Sequence, residues 1–253
     1  MNERQKSILE LLSKSQELSV NELTAQFGVS SVTIRGDLDY LENERLLKRV
    51  HGGARLHSED DISQRIGINY PRKAAIAAKA ATLVKPGETI FIDAGSANAL
   101  FARELAQIPN IQVITSNIFI ARQLKKSQVN VIILGGVFQH DSESVVGSLA
   151  KMGLERINFS KAFIGVDGIT KSHGFASNDM MRAEIAREAI LRAEQGFVLS
   201  DSTKIGKIAA CTICSLDEVN CLVTDDGIST TQRKKFEKAG LKVEIAETES
   251  RLP

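Results

Sequence analysis

In the larger, C-terminal part of the chain, short apolar runs end one after another in small or polar residues. These ends are Asp93-Ala94-Gly95-Ser96-Ala97-Asn98, Thr115-Ser116-Asn117, Gly135-Gly136, Asp167-Gly168, Asp201-Ser202-Thr203-Lys204 and Asp225-Asp226-Gly227. Residues 95–98 enter a helix-like stretch, so their backbone N–H groups and the helix N-terminus could hold an anion such as a phosphate. Lys204 could supply neutralising charge, while the aspartates, which repel a phosphate, suit the hydroxyl groups of a sugar. Turn and cap chemistry competes for each residue taken singly, because Asp, Ser and Gly are common in such loops anyway.

The N-terminal part carries a different chemistry. Ser31, Thr33 and Arg35 offer hydrogen-bonding side chains within one helix-like stretch. The run 45–57 holds four cations, Arg45, Lys48, Arg49 and Arg55, and no acid, whereas residues 1–44 hold four cations and eight acids. Cations and backbone amides hold phosphates, and side-chain hydrogen bonds read base edges, so this pattern points to duplex DNA. The competing reading of each charge is a solvated surface.

Elements must position these groups. Residues 1–45 read as helix throughout: Ile8, Leu9, Leu11 and Leu12 mark one apolar face, and Leu23 with Phe27 the next. Gly28 breaks the pattern, and Ser30 can cap a third helix whose Ile34, Leu38 and Leu41 face a core. Leu46 to Leu56, with His51-Gly52-Gly53-Ala54 between Leu47 with Val50 and Leu56, reads as a hairpin. Helix, helix, tight turn, third helix and hairpin is the order of a winged helix-turn-helix. Residues 58–72 lose the periodicity and read as a linker or poorly packed connector.

From Lys73 onward, the runs Ile90–Ile92, Val113–Thr115, Val131–Leu134, Phe163–Val166, Phe197–Leu199 and Leu222–Val223 alternate with amphipathic stretches. That is the βα pattern of a mainly parallel sheet, in which ligands lie outside the carboxyl ends of the strands. The expected organisation is a winged helix-turn-helix over 1–57, a linker over 58–72 and an effector-sensing α/β domain over 73–253.

Composition sets limits on the function. A chain of 253 residues, 43% hydrophobic and 25% charged, has room for two domains and ample core. A net charge of +1 argues against general nucleic-acid glue but permits a local basic patch. No apolar run approaches a bilayer span, and three cysteines do not make a disulfide framework, so a cytoplasmic protein with no membrane partner is expected.

Val32-Thr33-Ile34-Arg35-Gly36-Asp37-Leu38, Leu41-Glu42 and Arg49-Val50-His51-Gly52-Gly53-Ala54 resemble the N-terminal signature of DeoR-type (DeoR/GlpR) repressors. Asp93-Ala94-Gly95-Ser96, Thr115-Ser116-Asn117, Gly135-Gly136, Lys161 to Ile169 and Asp201 to Gly206 resemble the effector-domain motifs of that family. The resemblance reaches from the first helix to about residue 225. It implies a sequence-specific repressor of carbohydrate metabolism genes whose sensor domain is similar in fold to sugar-phosphate isomerases. It further implies a phosphorylated sugar or related metabolite as effector, no other cofactor, and a dimer or tetramer on double-stranded operator DNA. The family usually has a second arginine where this chain has Gly36, a Thr pair where it has Ser96-Ala97, and an acidic pair where it has Met181-Arg182.

Under this reading Ser31, Thr33, Arg35, Arg45, Lys48, Arg49, His51, Gly52, Gly53 and Arg55 meet DNA. Asp93, Gly95, Ser96, Ala97, Asn98, Thr115, Ser116, Asn117, Gly135, Gly136, Asp167, Gly168, Asp201 and Lys204 surround the effector. An isomerase is the main rival, with Asp93, Asp167 or Asp201 as base. Ile169 and Thr170 stand where isomerases of that fold carry further acids after Asp-Gly, so no catalytic residue is assigned. Zinc or redox chemistry at Cys211-Thr212-Ile213-Cys214 is a second rival. Structural zinc wants four ligands, Cys221 is the only further cysteine, and buried cysteines with no metal are expected. His51, His57 and His140 are read as surface or turn residues.

Overall fold

The computed structural model describes residues 2–15, 17–43, 47–55 and 60–248. The chain divides into two compact units, Met1–Gln64 and Arg65–Pro253. Among the described residues no helix is long and apolar enough to cross a membrane.

In the first unit, α1 (Glu3–Ser15) is followed by β1 (Glu17–Ser19) and α2 (Val20–Phe27). A capping box starts α2: the Ser19 hydroxyl accepts the Glu22 N–H at 3.2 Å and the Glu22 carboxylate accepts the Ser19 N–H at 2.7 Å. In α3 (Ser31–Asn43) the Ser30 hydroxyl accepts the Thr33 N–H at 3.2 Å, as the sequence led one to expect of a cap. Ile34, Leu38 and Leu41 then pack with Ile8, Leu12, Val20, Leu23, Leu47 and Ala54 into one core. Asp37 ties α3 to α1, accepting from Arg4 Nε at 2.5 Å and from Gln5 Nε2 at 3.1 Å.

The hairpin of β2 (Lys48–Val50) and β3 (Gly53–Arg55) takes β1 as a third antiparallel strand, in the order β1-β3-β2. Gly52 turns the chain at φ 78°, and a side chain on Gly53 would collide with the Leu18 carbonyl oxygen. The glycine pair is thus explained by the turn and by the close approach of β1. Here the expectation of helix throughout 1–45 is corrected. Three residues are too few to show a period, and β1 exists because the wing offers it an edge.

The stretch expected as an irregular linker is also corrected. Its residues 58 and 59 lie outside the described residues, but α4 (Ile62–Gly67) crosses the unit boundary and α5 (Tyr70–Ala81) begins within it. Ile62 and Ile66 are buried, and two apolar residues four apart suffice to seat a helix this short.

The second unit runs β4 (Thr89–Ile92), α6 (Ser96–Leu105), β5 (Gln112–Thr115), α7 (Ile118–Leu124), β6 (Asn130–Ile133), then a hairpin of β7 (Val137–Gln139) and β8 (Ser144–Val146). It continues through α8 (Ser148–Leu154), β9 (Lys161–Ile164), β10 (Gly168–Thr170), β11 (Gly174–Ser177), α9 (Met180–Arg192) and β12 (Gln195–Leu199). It closes with β13 (Cys211–Cys214), β14 (Cys221–Asp225), α10 (Thr230–Glu237) and β15 (Lys242–Ala246). Seven strands form one sheet in the order β15-β14-β12-β9-β4-β5-β6, every neighbouring pair parallel. A smaller antiparallel sheet, β10-β11-β13, lies apart from it in the ladder.

From β4 the strand order runs one way to β5 and β6, and from β9 the other way to β12, β14 and β15. The reversal falls between β4 and β9, and the crevice of a doubly wound sheet opens at such a switch point.

Candidate functional site

The first candidate surface is α3 with the wing. Val32, Arg35, Gly36 and Asp39 share its exposed side, and Val32 is 74% exposed. Arg35 has no carboxylate partner among the described residues. Ser31 and Thr33 are half-buried at the start of α3, and the Thr33 hydroxyl lies 2.9 Å from that of Ser30, within the cap.

On the wing Lys48, His51 and Gly52 are exposed, Gly53 is buried and Arg55 is half-buried. Arg49 is engaged within the fold: its guanidinium pairs with Asp39, and its Nε donates to the Gly53 carbonyl at 3.3 Å. Its backbone N–H donates to Glu42 at 2.8 Å, so Arg49 braces the wing against α3. Arg45 lies outside the described residues.

A side chain built on Gly36 would meet nothing within contact distance. Gly36→Ala is therefore expected to stabilise the unit by about 0.5–1 kcal/mol, measured by urea unfolding. Gly36→Arg is expected to change the operator sequences selected from random DNA. An unchanged selection would place residue 36 away from the bases.

The second candidate site is the crevice at the switch point. Asp93 ends β4 and Asp167 follows β9, and the loops behind them touch. A methyl on Gly165 would stand 2.6 Å from the Ala94 carbonyl oxygen, so only glycine permits this approach. Gly95 precedes α6 with φ 139°. Asp93 is 4% exposed, and burial pushes its carboxyl up to about 7. The Ala94 N–H, the Arg182 charge, the Gly165 N–H and the Ser116 hydroxyl oppose that rise by favouring the carboxylate.

Asp167 has the opposite balance. Burial would raise it, but the Asn178 N–H and the charges of Arg65, Lys204 and Arg182 outweigh burial and hold it below the usual range. Arg65 Nη2 lies 3.2 Å and Lys204 Nζ 3.8 Å from the same oxygen, Asp167 Oδ1. Asp201 accepts from the Thr203 N–H at 3.0 Å and from its hydroxyl. Lys73 is buried, and desolvation pulls its ammonium down to about 8, Asp201 opposing and Arg65 and Lys204 adding to the fall.

Several residues expected around an effector have side chains already committed to the fold. Asn98 Nδ2 donates to the carbonyls of Asp93 at 2.9 Å and of Ala94 and Phe163 at 3.3 Å. Thr115 Oγ1 donates to the Ile92 carbonyl at 2.7 Å. Asn117 caps α7 by accepting the Ile120 N–H at 3.0 Å, and its Nδ2 donates to the Ser142 carbonyl at 2.8 Å. Ser96 and Ala97 are buried in the first turn of α6, Ser116 lies 3.4 Å from Asp93 Oδ1, and Gly168 is buried in β10. Gly135 and Gly136 are exposed between β6 and β7.

Arg65, Lys73 and Arg182 are the crevice residues that the strand-end pattern missed. They come from α4, α5 and α9, and nothing in their local sequence separates them from surface cations.

Cys211 is half-buried, and Cys214 and Cys221 are buried. Burial pushes the Cys214 thiol up to about 12, which disfavours the thiolate that binds metal. Among the described residues no group of three metal-binding side chains comes together.

Residues 4–60 match the DeoR-like helix-turn-helix domain, and residues 68–226 match the DeoR C terminal sensor domain. The chain is 36% identical to the HTH-type transcriptional regulator GolR of Listeria innocua over 97% of its length and 98% of that protein. It is 32% identical to the lactose phosphotransferase system repressor of Streptococcus mutans over 88% of its length and 91% of that protein. Among solved structures, ribose 5-phosphate isomerase A of Methanocaldococcus jannaschii matches with a TM-score of 0.40 at 19% identity, over 53% of each chain.

Proposed function

Because the chain belongs to the DeoR family of transcriptional regulators, we propose that it represses carbohydrate metabolism genes and responds to a phosphorylated sugar or related metabolite held at the switch-point crevice. Arg35 carries the DNA half of this reading: an exposed arginine on the outer face of α3, without a carboxylate partner among the described residues. Arginine in the major groove reads guanine with two hydrogen bonds, and exposed Val32 beside it suits a thymine methyl. Lys48, Arg55 and the wing amides near His51 and Gly52 hold phosphates, while Arg49 positions the wing.

The crevice recognises without turnover. Its Asp167 is held as a carboxylate by Arg65 and Lys204, and buried Ile169 with Thr170 follows in place of further acids. Two or four subunits place their α3 helices on repeated half-sites, since one such helix reads only a few base pairs. The protein works in the cytoplasm, where operator and metabolite are both present.

Selection of bound sequences from random DNA, with and without a panel of sugar phosphates, tests the whole reading. A defined operator should emerge, and one phosphorylated compound should change its affinity by about 5- to 150-fold. Arg35→Ala should weaken that operator by about tenfold to a hundredfold and relax selection at one or two positions. Turnover of a sugar phosphate by protein that ignores all duplexes would overturn the proposal.

A further inference from the structure

We propose that the end of β6, the exposed side of β7 and the outer side of α8 form one apolar face on which a second copy of this chain docks about a twofold axis. This rests on the reading that the protein acts as a dimer or tetramer, and it names the surface that joins two subunits.

Of the ten large apolar side chains exposed in the second unit among the described residues, six gather here: Ile133, Val137, Phe138, Leu149, Met152 and Met180, each between 42% and 64% exposed. Close approaches to two glycines bring their elements together. A methyl on Gly147, just before α8, would stand 3.8 Å from Val137 Cγ2 and 3.4 Å from Met181 Cε, and one on Gly153 would stand 3.1 Å from Leu134 Cδ2. The start of β7, the start of α9 and the end of β6 therefore all border α8. Gln139 Nε2 donates to Asp179 Oδ2 at 2.8 Å, and Asp179 caps α9 by accepting the Arg182 N–H at 2.8 Å, so the hairpin is pinned beside Met180. Leu149 and Met152, three residues apart, leave α8 on one side, while Ala150 and Leu154 are buried on the other.

Area and charge both fit a second copy. At roughly 200 Å² for a large apolar side chain, the six leave on the order of 600 Å² of apolar surface in water, against about 800 Å² per partner in a standard stable interface. Residues 130–139, Asn-Val-Ile-Ile-Leu-Gly-Gly-Val-Phe-Gln, carry no charge. At the opposite edge of the same sheet, β15 carries Lys242 and Glu244 at alternate positions. Charged edge residues keep other chains away, and β6 has no such guard. An uncharged, β-prone run left bare at an edge is an aggregation hazard, whereas a twofold contact covers it once and closes the assembly. In such a contact each surface meets itself, so a border of one sign would repel its own copy. Here the border holds both signs, Lys151 and Arg156 with Glu155 and Glu184. A joint at this face puts two DNA readers on one molecule, and operator affinity gains from the effective concentration of the second.

The test is sedimentation of the full chain over a range of concentrations, with hydrogen exchange measured at each. In the native protein the amides of 130–139 should exchange faster on dilution through dissociation, and those of 242–246 should not change. Val137→Glu and Leu149→Glu, at positions open enough to take a charge without unfolding the unit, should each weaken self-association by about a hundredfold or more. Ile208→Glu, on an exposed side chain outside the face, should stay within about threefold of the native protein. A tetrameric native protein should fall to dimers in the two face variants. Folded Val137→Glu and Leu149→Glu proteins that associate as the native chain does would remove this face and leave the oligomer reading standing. So would an oligomer that dissociates with unchanged exchange at 130–139. A native chain that stays monomeric, alone and on its selected operator, would overturn the oligomer reading itself.

Discussion

Replacing Leu38 by alanine is expected to abolish operator binding, by more than about a hundredfold, while leaving the sensor unit folded. Leu38 is fully buried in a core made of residues from the first unit alone. Truncating a buried leucine costs about 2–5 kcal/mol, the upper part of that range where the site cannot collapse. A single small core supplies no more than about 3–5 kcal/mol of net stability, so the loss consumes most of it. The main core of the second unit contains no residue of the first. Calorimetry of the variant should lose or lower one transition and keep the other, and the retained transition should still respond to a bound sugar phosphate. Both transitions falling together would show that the units do not fold independently.

Asp93→Asn is expected to flatten the pH dependence of the sensor unit's stability between about pH 4 and 7 and to make the variant the more stable protein at about pH 8. In the folded chain the Asp93 carboxyl has been pushed by burial to about 7, from an ordinary value of 3.8. Between those values the native state holds a proton that the unfolded state has released. The stability contributed by that proton is complete below the unfolded value, declines as pH rises across the window, and is gone above about 7. Asparagine carries no ionisable proton and removes this slope. From about pH 5 to pH 8 the difference should amount to roughly 2–3 kcal/mol, since each pKa unit corresponds to about 1.4 kcal/mol. Lys73, pulled down to about 8, acts mainly above this range and in the opposite sense, because there the unfolded chain holds the extra proton. Urea titrations of both proteins across the range measure the difference directly. Parallel profiles would mean that Asp93 stays ionised in the fold.

The strand-end acids and the outward residues of α3 are legible in the sequence, because both follow from local periodicity. A helix that buries Ile34, Leu38 and Leu41 must turn Arg35 and Gly36 outward, and a parallel strand must deliver its last residue to the crevice edge. Six of the seven strands of the large sheet announced themselves as apolar runs. β15, Lys-Val-Glu-Ile-Ala, did not, because an edge strand with charged alternate residues looks like surface.

Other features were decided only by tertiary structure, since they depend on pairs far apart in the chain. Arg49 was read as a phosphate contact by its charge, yet Asp39 on α3 draws it into a brace. Asn117 and Thr115 were read as ligand contacts by their polarity, yet the backbone groups around them claim their hydrogen bonds. Arg65 falls in the stretch that reads as linker and Lys73 opens the α/β pattern, yet the fold brings them to Asp167 and Asp201, 102 residues from Arg65 in the first case. Sequence order determines which side chains leave an element together. Only the packed chain determines which of them are still unbonded when a ligand arrives, because hydrogen bonds and ion pairs are assigned by distance in space.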